Sequence, residues 1–280
     1  MTSDIVPLDE EGFTAYMADR FRQAVPNWPV TVEGPLKITI HVSDPLKCML
    51  DRAFDYCQSR PGEGAEWLES YVEKMRAYVE SMNAPIDRAM LRVVVRPKDY
   101  IDRAQQGAAE KGSEMAIEPL AEDLSAACYI DLPTALRSAL TPDFETLGLS
   151  PAEALAQAKA NQAADLEDFE ASLEDLGDDV AILRGDVYHS SWFALHEAWA
   201  GLAERYEDGL LVAVPAMDTL LYARENEDSI ISMHEAAEDV ADESERPISK
   251  SVYRWEPDGW TRIPGPVRIG GKNVYLRPKF

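Results

Sequence analysis

The sequence lacks the features that would assign it to several large classes of protein. Its 280 residues include only three cysteines, Cys48, Cys57 and Cys128, an odd number without CxxC spacing. Each has apolar or aromatic neighbours in sequence, which argues against a disulfide framework and against a cysteine-based metal site. We therefore expect three reduced, mostly buried thiols.

Long apolar runs are also absent. No uninterrupted apolar stretch approaches the roughly 20 residues that a helix needs to cross a bilayer. The chain begins with Met1, Thr2, Ser3 and Asp4, so an acid stands where a secretory signal has its basic residues. The sequence predicts a soluble, cytoplasmic protein.

Basic residues are scarce, with 27 Lys and Arg against 51 Asp and Glu and a net charge of −24. Phosphate recognition and adsorption to anionic lipid both need a positive field, so we expect neither nucleic-acid nor membrane binding. The hydrophobic content of 46% is nevertheless high enough for one large or two modest cores. The chain is therefore expected to fold despite its charge.

The negative charge is concentrated in one part of the chain. Residues 141–245 contain 26 acids and only four basic residues, a net charge of −22. Residues 246–280 reverse this balance, with two acids and eight basic residues. Such segregation informs on partners and solubility and says nothing about fold. The basic tail has the sign needed to dock on the protein's own acidic part.

Short strands and amphipathic helices alternate along the chain. The strands are short, and apolar and polar residues partly alternate along them. The strands of a doubly wound parallel sheet would instead be continuous apolar runs. We therefore predict an α+β fold, with mixed short-stranded sheets flanked by amphipathic helices. Helices are predicted over Asp9–Val25, Leu46–Cys57, Ser191–Tyr206 and Asp228–Glu243, and strands over Leu36–Val42, Leu91–Arg96 and Leu210–Val214, with a hairpin over Ser251–Ile263.

The clearest local signal is the start of one helix. Ser150 is a suitable N-cap, Pro151 takes the first helical position, and Glu153 follows three residues after the cap. This pattern predicts a helix that runs to about Leu173. A shift in composition near Ala116–Asp123 predicts a boundary between an N-terminal part, residues 1–120, and a C-terminal part, residues 121–280, with one shared sheet as the alternative.

Several segments of the second half resemble a known family. They are Tyr129–Asp131, Leu149–Ala154, Ala158–Asn161, Ser191–Leu195, Leu211–Asp218 and Val252–Trp255. Over about Ala127–Trp260 they resemble the YtpQ-like family of uncharacterised bacterial proteins, and Leu91–Pro97 extends the likeness in outline. The family's version of Val214–Asp218 has a hydroxyl and a basic residue where this chain has Ala216 and Met217. The resemblance implies a soluble bacterial α+β fold, and no reaction, cofactor or catalytic residue.

The densest group of reactive side chains lies at Asp186, His189 and His196. If one α-helix extends back to His189, the seven-residue spacing puts both histidines on one face with Asp186 one turn before. That arrangement would suit two metal ligands plus a carboxylate, or an acid–base pair for a hydrolase. The alternative is a helix start, with Asp186 or Ser190 as the cap and His196 on a polar flank. The glycines lack the setting of a phosphate loop, so no cofactor is expected.

A dense acidic run covers the end of the helix predicted from Pro151 and the residues that follow it. Its members are Asp165, Glu167, Asp168, Glu170, Glu174, Asp175, Asp178 and Asp179. Three interpretations compete: a solvated helix face, an electrostatic face that steers a basic partner, and a calcium site, for which DxDxDG spacing is missing. We hypothesise a non-catalytic acidic protein that binds a basic protein partner through these residues, in the manner of an immunity protein, an antitoxin or an adaptor. A hydrolase centred on Asp186, His189 and His196 is the alternative.

Overall fold

The structure, a computed structural model, describes residues 6–7, 9–42, 45–60, 62–164, 180–206, 208–269 and 272–276. The chain forms two compact units. The first comprises residues up to Pro85 together with Leu132–Ala135, and the second comprises Ile86–Asp131 together with residues from Leu136 onward. None of the helices in the described ranges is long and apolar enough to cross a membrane.

The first unit combines three helices with a small antiparallel sheet. Its elements are α1 (Glu10–Ala24), β1 (Val30–Gly34), β2 (Lys37–Ile40), β3 (Leu46–Met49), α2 (Asp51–Ser59) and α3 (Gly64–Met82). Helix α1 begins where Asp9 Oδ1 accepts a hydrogen bond of 2.7 Å from Gly12 N, and it buries the predicted stripe of Phe13, Met17 and Phe21. The strand order is β1-β2-β3, so the predicted strand over Leu36–Val42 is the central one.

The helix predicted over Leu46–Cys57 is wrong in its first third. Residues Leu46–Met49 form β3, which pairs antiparallel with β2, and the helix begins only at Asp51. Cys48 lies opposite Ile38 and is buried, whereas Met49 is 56% exposed. The period of two that buries Cys48 and exposes its neighbours is that of a strand. Pairing with β2 therefore makes Leu46–Met49 an edge strand, although the spacing of its apolar residues also suits a helix.

The second unit is larger and holds the remaining elements. Its helices are α4 (Lys98–Glu110), α5 (Thr141–Leu147), α6 (Pro151–Ala164), α7 (Ala200–Arg205) and α8 (Glu227–Glu243), with 3-10 helices at Arg88–Met90, His189–Ala194 and His196–Trp199. Its strands are β4 (Leu91–Pro97), β5 (Ile117–Pro119), β6 (Leu124–Leu132), β7 (Ala135–Ser138), β8 (Ala181–Arg184), β9 (Leu210–Ala216), β10 (Thr219–Arg224), β11 (Val252–Glu256), β12 (Gly259–Ile263), β13 (Val267–Ile269) and β14 (Lys272–Val274).

The strands of the second unit form separate sheets. A five-stranded sheet has the order β12-β11-β9-β10-β8, a second sheet has the order β4-β6-β5 with β7 paired to β6, and β13 pairs with β14. The five-stranded sheet is antiparallel at every step, and the predicted hairpin is its β11–β12 edge, with Trp255 opposite Trp260. The α+β fold class is confirmed.

Two helices begin at the predicted residue or within one residue of it. Ser150 N donates to Glu153 Oε2 at 2.8 Å and Glu153 N donates to Ser150 Oγ at 3.3 Å, the reciprocal bonds of a capping box ahead of α6. Helix α6 is described as far as Ala164, and its predicted extension to Leu173 lies outside the described residues. Helix α8 starts at Glu227 after the Asn226 cap, one residue before the predicted start.

Helix α8 covers one face of the five-stranded sheet. Its buried residues Ile230, Met233 and Ala237 pack in one cluster with residues of β9, β10, β11 and β12. Since each fully buried aliphatic side chain contributes about 1.5–3 kcal/mol, this contact holds the helix firmly on the sheet. The polar face of α8 therefore has a fixed position relative to the five-stranded sheet.

The main boundary between the two units lies after Pro85 and not near residue 120. Strands β4 and β6 lie on either side of that position and pair along their whole length, from Leu91 opposite Ile130 to Pro97 opposite Leu124. A boundary at residue 120 would cut this sheet. The division after Pro85 keeps the whole β4–β6 pairing within the second unit.

Candidate functional site

A cavity of about 460 Å³ lies in the second unit at the C-terminal end of α8. It is lined by the turn between β9 and β10, by the end of β8 and by the residues that follow α8. The turn contains Met217 and Asp218, which belong to the segment that carries the family resemblance. The volume falls within the roughly 300–1,000 Å³ typical of binding sites.

Backbone hydrogen bonds fix the walls of this cavity. Gly185 N donates to Asp218 O at 3.1 Å, which ties the end of β8 to the turn. Met217 N donates to Arg246 O at 3.3 Å, and Ala216 and Pro247 form an antiparallel bridge, so the chain after α8 is held against the same turn. Gly185 has a φ of +115°, which glycine adopts without strain.

The cavity combines an apolar floor with a charged rim. Met217 and Val240 are buried, and Val187 is 44% exposed. Three carboxylates and two guanidinium groups line the rim, namely those of Asp218, Glu243, Glu245, Arg184 and Arg246. The helix C-terminus also carries a partial negative charge. The balance favours a cationic group with an apolar stem.

The exposed face of α8 continues this negative surface along the helix. The helix contains seven acids and no Lys or Arg, and all seven acids are exposed: Glu227, Asp228, Glu235, Glu238, Asp239, Asp242 and Glu243. We call these seven residues the α8 acidic face. At a rise of 1.5 Å per residue, the face is about 24 Å long.

Part of the basic tail docks on the acidic part of the second unit. Lys250 Nζ lies 2.6 Å from Asp242 Oδ1 and 3.7 Å from Glu238 Oε1 on the α8 acidic face. Arg254 makes a bidentate pair with Glu225. These contacts confirm, for the described residues, the intramolecular docking that the charge segregation predicts. They leave Asp228, Asp239 and Glu243 without an ion pair to any described residue.

The structure does not test the acidic residues that the sequence analysis chose as the binding surface. All eight, from Asp165 to Asp179, lie outside the described residues. The α8 acidic face was missed because its acids are interrupted by apolar residues and do not form a dense run. The helical period of the apolar residues was the signal that could have placed all seven acids on one face.

The predicted arrangement of Asp186, His189 and His196 is wrong in its premise. The helix predicted over Ser191–Tyr206 is two 3-10 helices followed by the short α7, with a break at Leu195 where φ is −98° and ψ is 56°. His189 and His196 thus belong to different 3-10 helices. The seven-residue spacing no longer places them on one α-helical face.

Each of these three residues has a local role in the structure. Asp186 Oδ1 accepts a hydrogen bond of 2.8 Å from Tyr188 N, and Asp186 O accepts one of 3.1 Å from His189 N, so Asp186 stabilises the turn that precedes the first 3-10 helix, whose N-cap is Tyr188. The His189 ring meets Trp192 edge to face at 4.9 Å. Within the described ranges, no three His, Cys, Asp or Glu side chains are grouped so that they could hold a metal ion.

His196 belongs to an aromatic cluster instead. Its ring stacks on Trp255 with centroids 5.2 Å apart and meets Trp260 at a right angle, 5.3 Å away. The indole Nε1 of Trp255 donates to His196 O at 3.1 Å, and that of Trp260 donates to Phe193 O at 3.0 Å. The 3-10 helices are therefore locked to the β11–β12 hairpin.

One polar cluster has no local signal in the sequence. The Asp123 carboxylate accepts hydrogen bonds from Tyr253 at 2.5 Å, from Ser249 at 2.8 Å and from Ser251 at 3.1 Å. Burial raises the pKa of Asp123, but these three donors outweigh it and lower the pKa below its ordinary value. The cluster joins the loop before β6 to the start of β11. Because the partners are 126 to 130 positions apart, only the fold brings them together.

Comparisons of the chain with protein-family models, with curated proteins and with solved structures found no match. The YtpQ-like resemblance of the second half stays a prediction. The functional argument therefore depends on the geometry and charge of the second unit.

Proposed function

We propose that this protein acts by binding a basic protein partner, with the α8 acidic face as the steering surface and the adjoining cavity as the anchor site. The observation that carries the proposal is a helix with seven exposed carboxylates and no Lys or Arg, held on the five-stranded sheet by its buried face. Complementary charge of this kind accelerates association and excludes acidic partners. Neutralisation of a basic protein, as by an immunity protein or antitoxin, is one form that such binding takes.

The cavity supplies what the helix face alone lacks, which is a place for a specific side chain. A Lys or Arg stem would lie against Met217 and Val240, and its cation would meet Asp218, Glu243 and the carbonyl end of α8. A buried anchor surrounded by charged residues is the usual arrangement of an interface that discriminates between partners.

A lysine-rich peptide is the defined probe for this proposal. We expect it to bind the intact protein and to be released as salt rises, because exposed charges are screened within about 8 Å at physiological ionic strength. The triple variant Asp228→Asn, Asp239→Asn, Glu243→Gln removes three acids of the face that make no ion pair with any described residue. Each exposed pair contributes about 0.5 kcal/mol, so affinity should fall about tenfold.

The matched control neutralises three exposed acids of the first unit, Asp51→Asn, Asp55→Asn and Glu66→Gln, with the same change in net charge. If the peptide responds only to overall charge, both triple variants weaken binding equally and the α8 acidic face is not the site. A selective loss in the α8 variant supports the proposal. Binding can be measured by titration calorimetry at two salt concentrations.

A further inference from the structure

A second cavity, of about 590 Å³, lies in the second unit between α6, the segment from Ala194 to Ala198 where the two 3-10 helices meet, and the β11–β12 turn. It shares no lining residue with the cavity at the end of α8. Its volume is in the range of small-molecule sites, which are mostly apolar with a few placed polar groups. The lining here combines apolar residues, namely Leu195, Trp260 and several alanines, with a comparable area of polar groups.

The wall formed by Trp260 is rigid. Phe193 stacks on its ring with centroids 4.2 Å apart and an interplanar angle of 15°, and its Nε1 donates to Phe193 O. His196 and Trp199 meet the same ring edge to face at 5.3 and 5.9 Å. Because this wall is already ordered, a ligand that binds to it loses little free energy to the immobilisation of side chains.

Helix α6 contributes small side chains to the lining. Ala160 and Ala163 line the cavity from the exposed side of α6. They sit one helical turn apart, so together they add a shallow apolar surface to the cavity that Trp260 also lines. A planar or branched apolar group has room beside these small side chains.

The charge of the rim selects the polar part of a ligand. Lys159 Nζ lies 2.5 Å from Glu118 Oε2, and this ion pair is internally balanced. Glu197 and Asp258 also line the cavity, are exposed, and make no ion pair with any described residue. The two remaining carboxylates give the rim an excess of negative charge, which attracts a cation and repels an anion.

We propose that this cavity binds a small primary amine that carries an aromatic or branched aliphatic group. The apolar group lies against Trp260 and the alanines of α6, and the ammonium group faces Glu197 and Asp258. The site is separate from the α8 acidic face, so it goes beyond the proposed binding of a basic protein.

Three probes of one shape test the charge preference: 2-phenylethylamine, 2-phenylethanol and 3-phenylpropionate. Ligand-observed NMR should show the amine bound with a Kd of about 1 mM, as expected for a ligand of this size, with the alcohol weaker and the carboxylate unbound. Equal binding of all three, or no binding of the amine, would overturn the proposal.

Two pairs of variants test the location. Ala163→Phe fills the cavity and should weaken amine binding more than tenfold, whereas Ala152→Phe, at an exposed position of the same helix outside the cavity, should leave it unchanged. Glu197→Gln should weaken binding about two- to fivefold, and Glu204→Gln, exposed but outside the cavity, should not. An equal loss within either pair places the amine elsewhere and refutes the site.

The two proposals fail independently. Neutralising Asp228, Asp239 and Glu243 should leave amine binding intact, because none of these residues lines the second cavity. Peptide binding should likewise survive Ala163→Phe. Loss of both ligands in one variant, with its thermal unfolding temperature unchanged, would contradict the separation of the two sites.

Discussion

Replacing Tyr253 by Phe removes the shortest hydrogen bond to the Asp123 carboxylate and leaves the ring itself in place. The Tyr253 side chain is fully buried, and its ring packs edge to face on Phe193 at 5.0 Å, a contact that Phe retains. Hydrogen bonds to a charged group contribute about 1.5–3 kcal/mol. Ser249 and Ser251 still donate to Asp123 in the variant. We therefore expect the free energy of unfolding to fall by about 2 kcal/mol at pH 7.

The pH dependence of this loss follows from the pKa of Asp123. Its folded pKa is below the ordinary value, so its contribution is complete above the unfolded pKa of about 3.9 and disappears as pH falls through the folded pKa. Without Tyr253, burial is opposed by fewer donors and the pKa of Asp123 rises. The effect of Tyr253→Phe is consequently constant between pH 6 and 8, roughly two units or more above the unfolded pKa.

Urea unfolding followed by tryptophan fluorescence measures the effect. Four of the six tryptophans lie in the second unit, so the signal reports on its unfolding. A double-mutant cycle with Asp123→Ala should give a coupling energy of about 1.5–3 kcal/mol. Tyr100→Phe, at a residue that is 46% exposed, is the control and should change stability by less than about 0.5 kcal/mol. A loss below about 0.5 kcal/mol for Tyr253→Phe, or strict additivity with Asp123→Ala, would refute the reasoning.

Two further predictions concern buried groups. All three thiols should resist a disulfide-exchange reagent in the native protein and react in urea, because none is more than 5% exposed and burial raises the pKa of Cys48 to about 11 and of Cys128 to about 12. Reaction of Cys128 at the rate of the unfolded chain would contradict this. Burial and the nearby Arg262 lower the pKa of His234, so the unfolded state binds more protons below pH 6.5 and stability falls as pH decreases through that value. His234→Gln should flatten the dependence between pH 7 and 5.5, and an unchanged slope would count against it.

Elements with a complete local signal were predictable. The start of α6 was read from Ser150, Pro151 and Glu153, since a capping box and a helical proline act within one turn of chain. The α+β class followed from the period of the apolar residues, which reflects which side of each element faces a core. Both signals are properties of contiguous residues.

Elements shaped by tertiary packing were misread. The segment after His189 has the apolar content of an α-helix. Two tryptophans that are distant in sequence, Trp255 and Trp260, donate hydrogen bonds to its backbone carbonyls at His196 and Phe193. The helix winds as 3-10 and breaks at Leu195. Propensity is a weak guide where distant side chains decide the backbone.

The same distinction between local signals and tertiary packing applies to the candidate sites. The negative charge of the second half was evident from composition, but its arrangement on one helix face depends on where α8 lies on the sheet. The two cavities are formed by segments from separate parts of the chain, so no sequence spacing describes them. The Asp123 cluster was invisible for the same reason.

The long separation between Asp123 and Tyr253 sets the order in which the second unit can be completed during translation. At about 5–20 residues per second, the 130 residues between them take on the order of 10 s to synthesise. Until then β9 has β10 on one side and an open edge on the other, since β11 is its second neighbour. A nascent chain that ends before Ser249 therefore exposes the unpaired backbone edge of β9, which can pair with other chains. It also leaves the Asp123 carboxylate without its three hydrogen-bond donors.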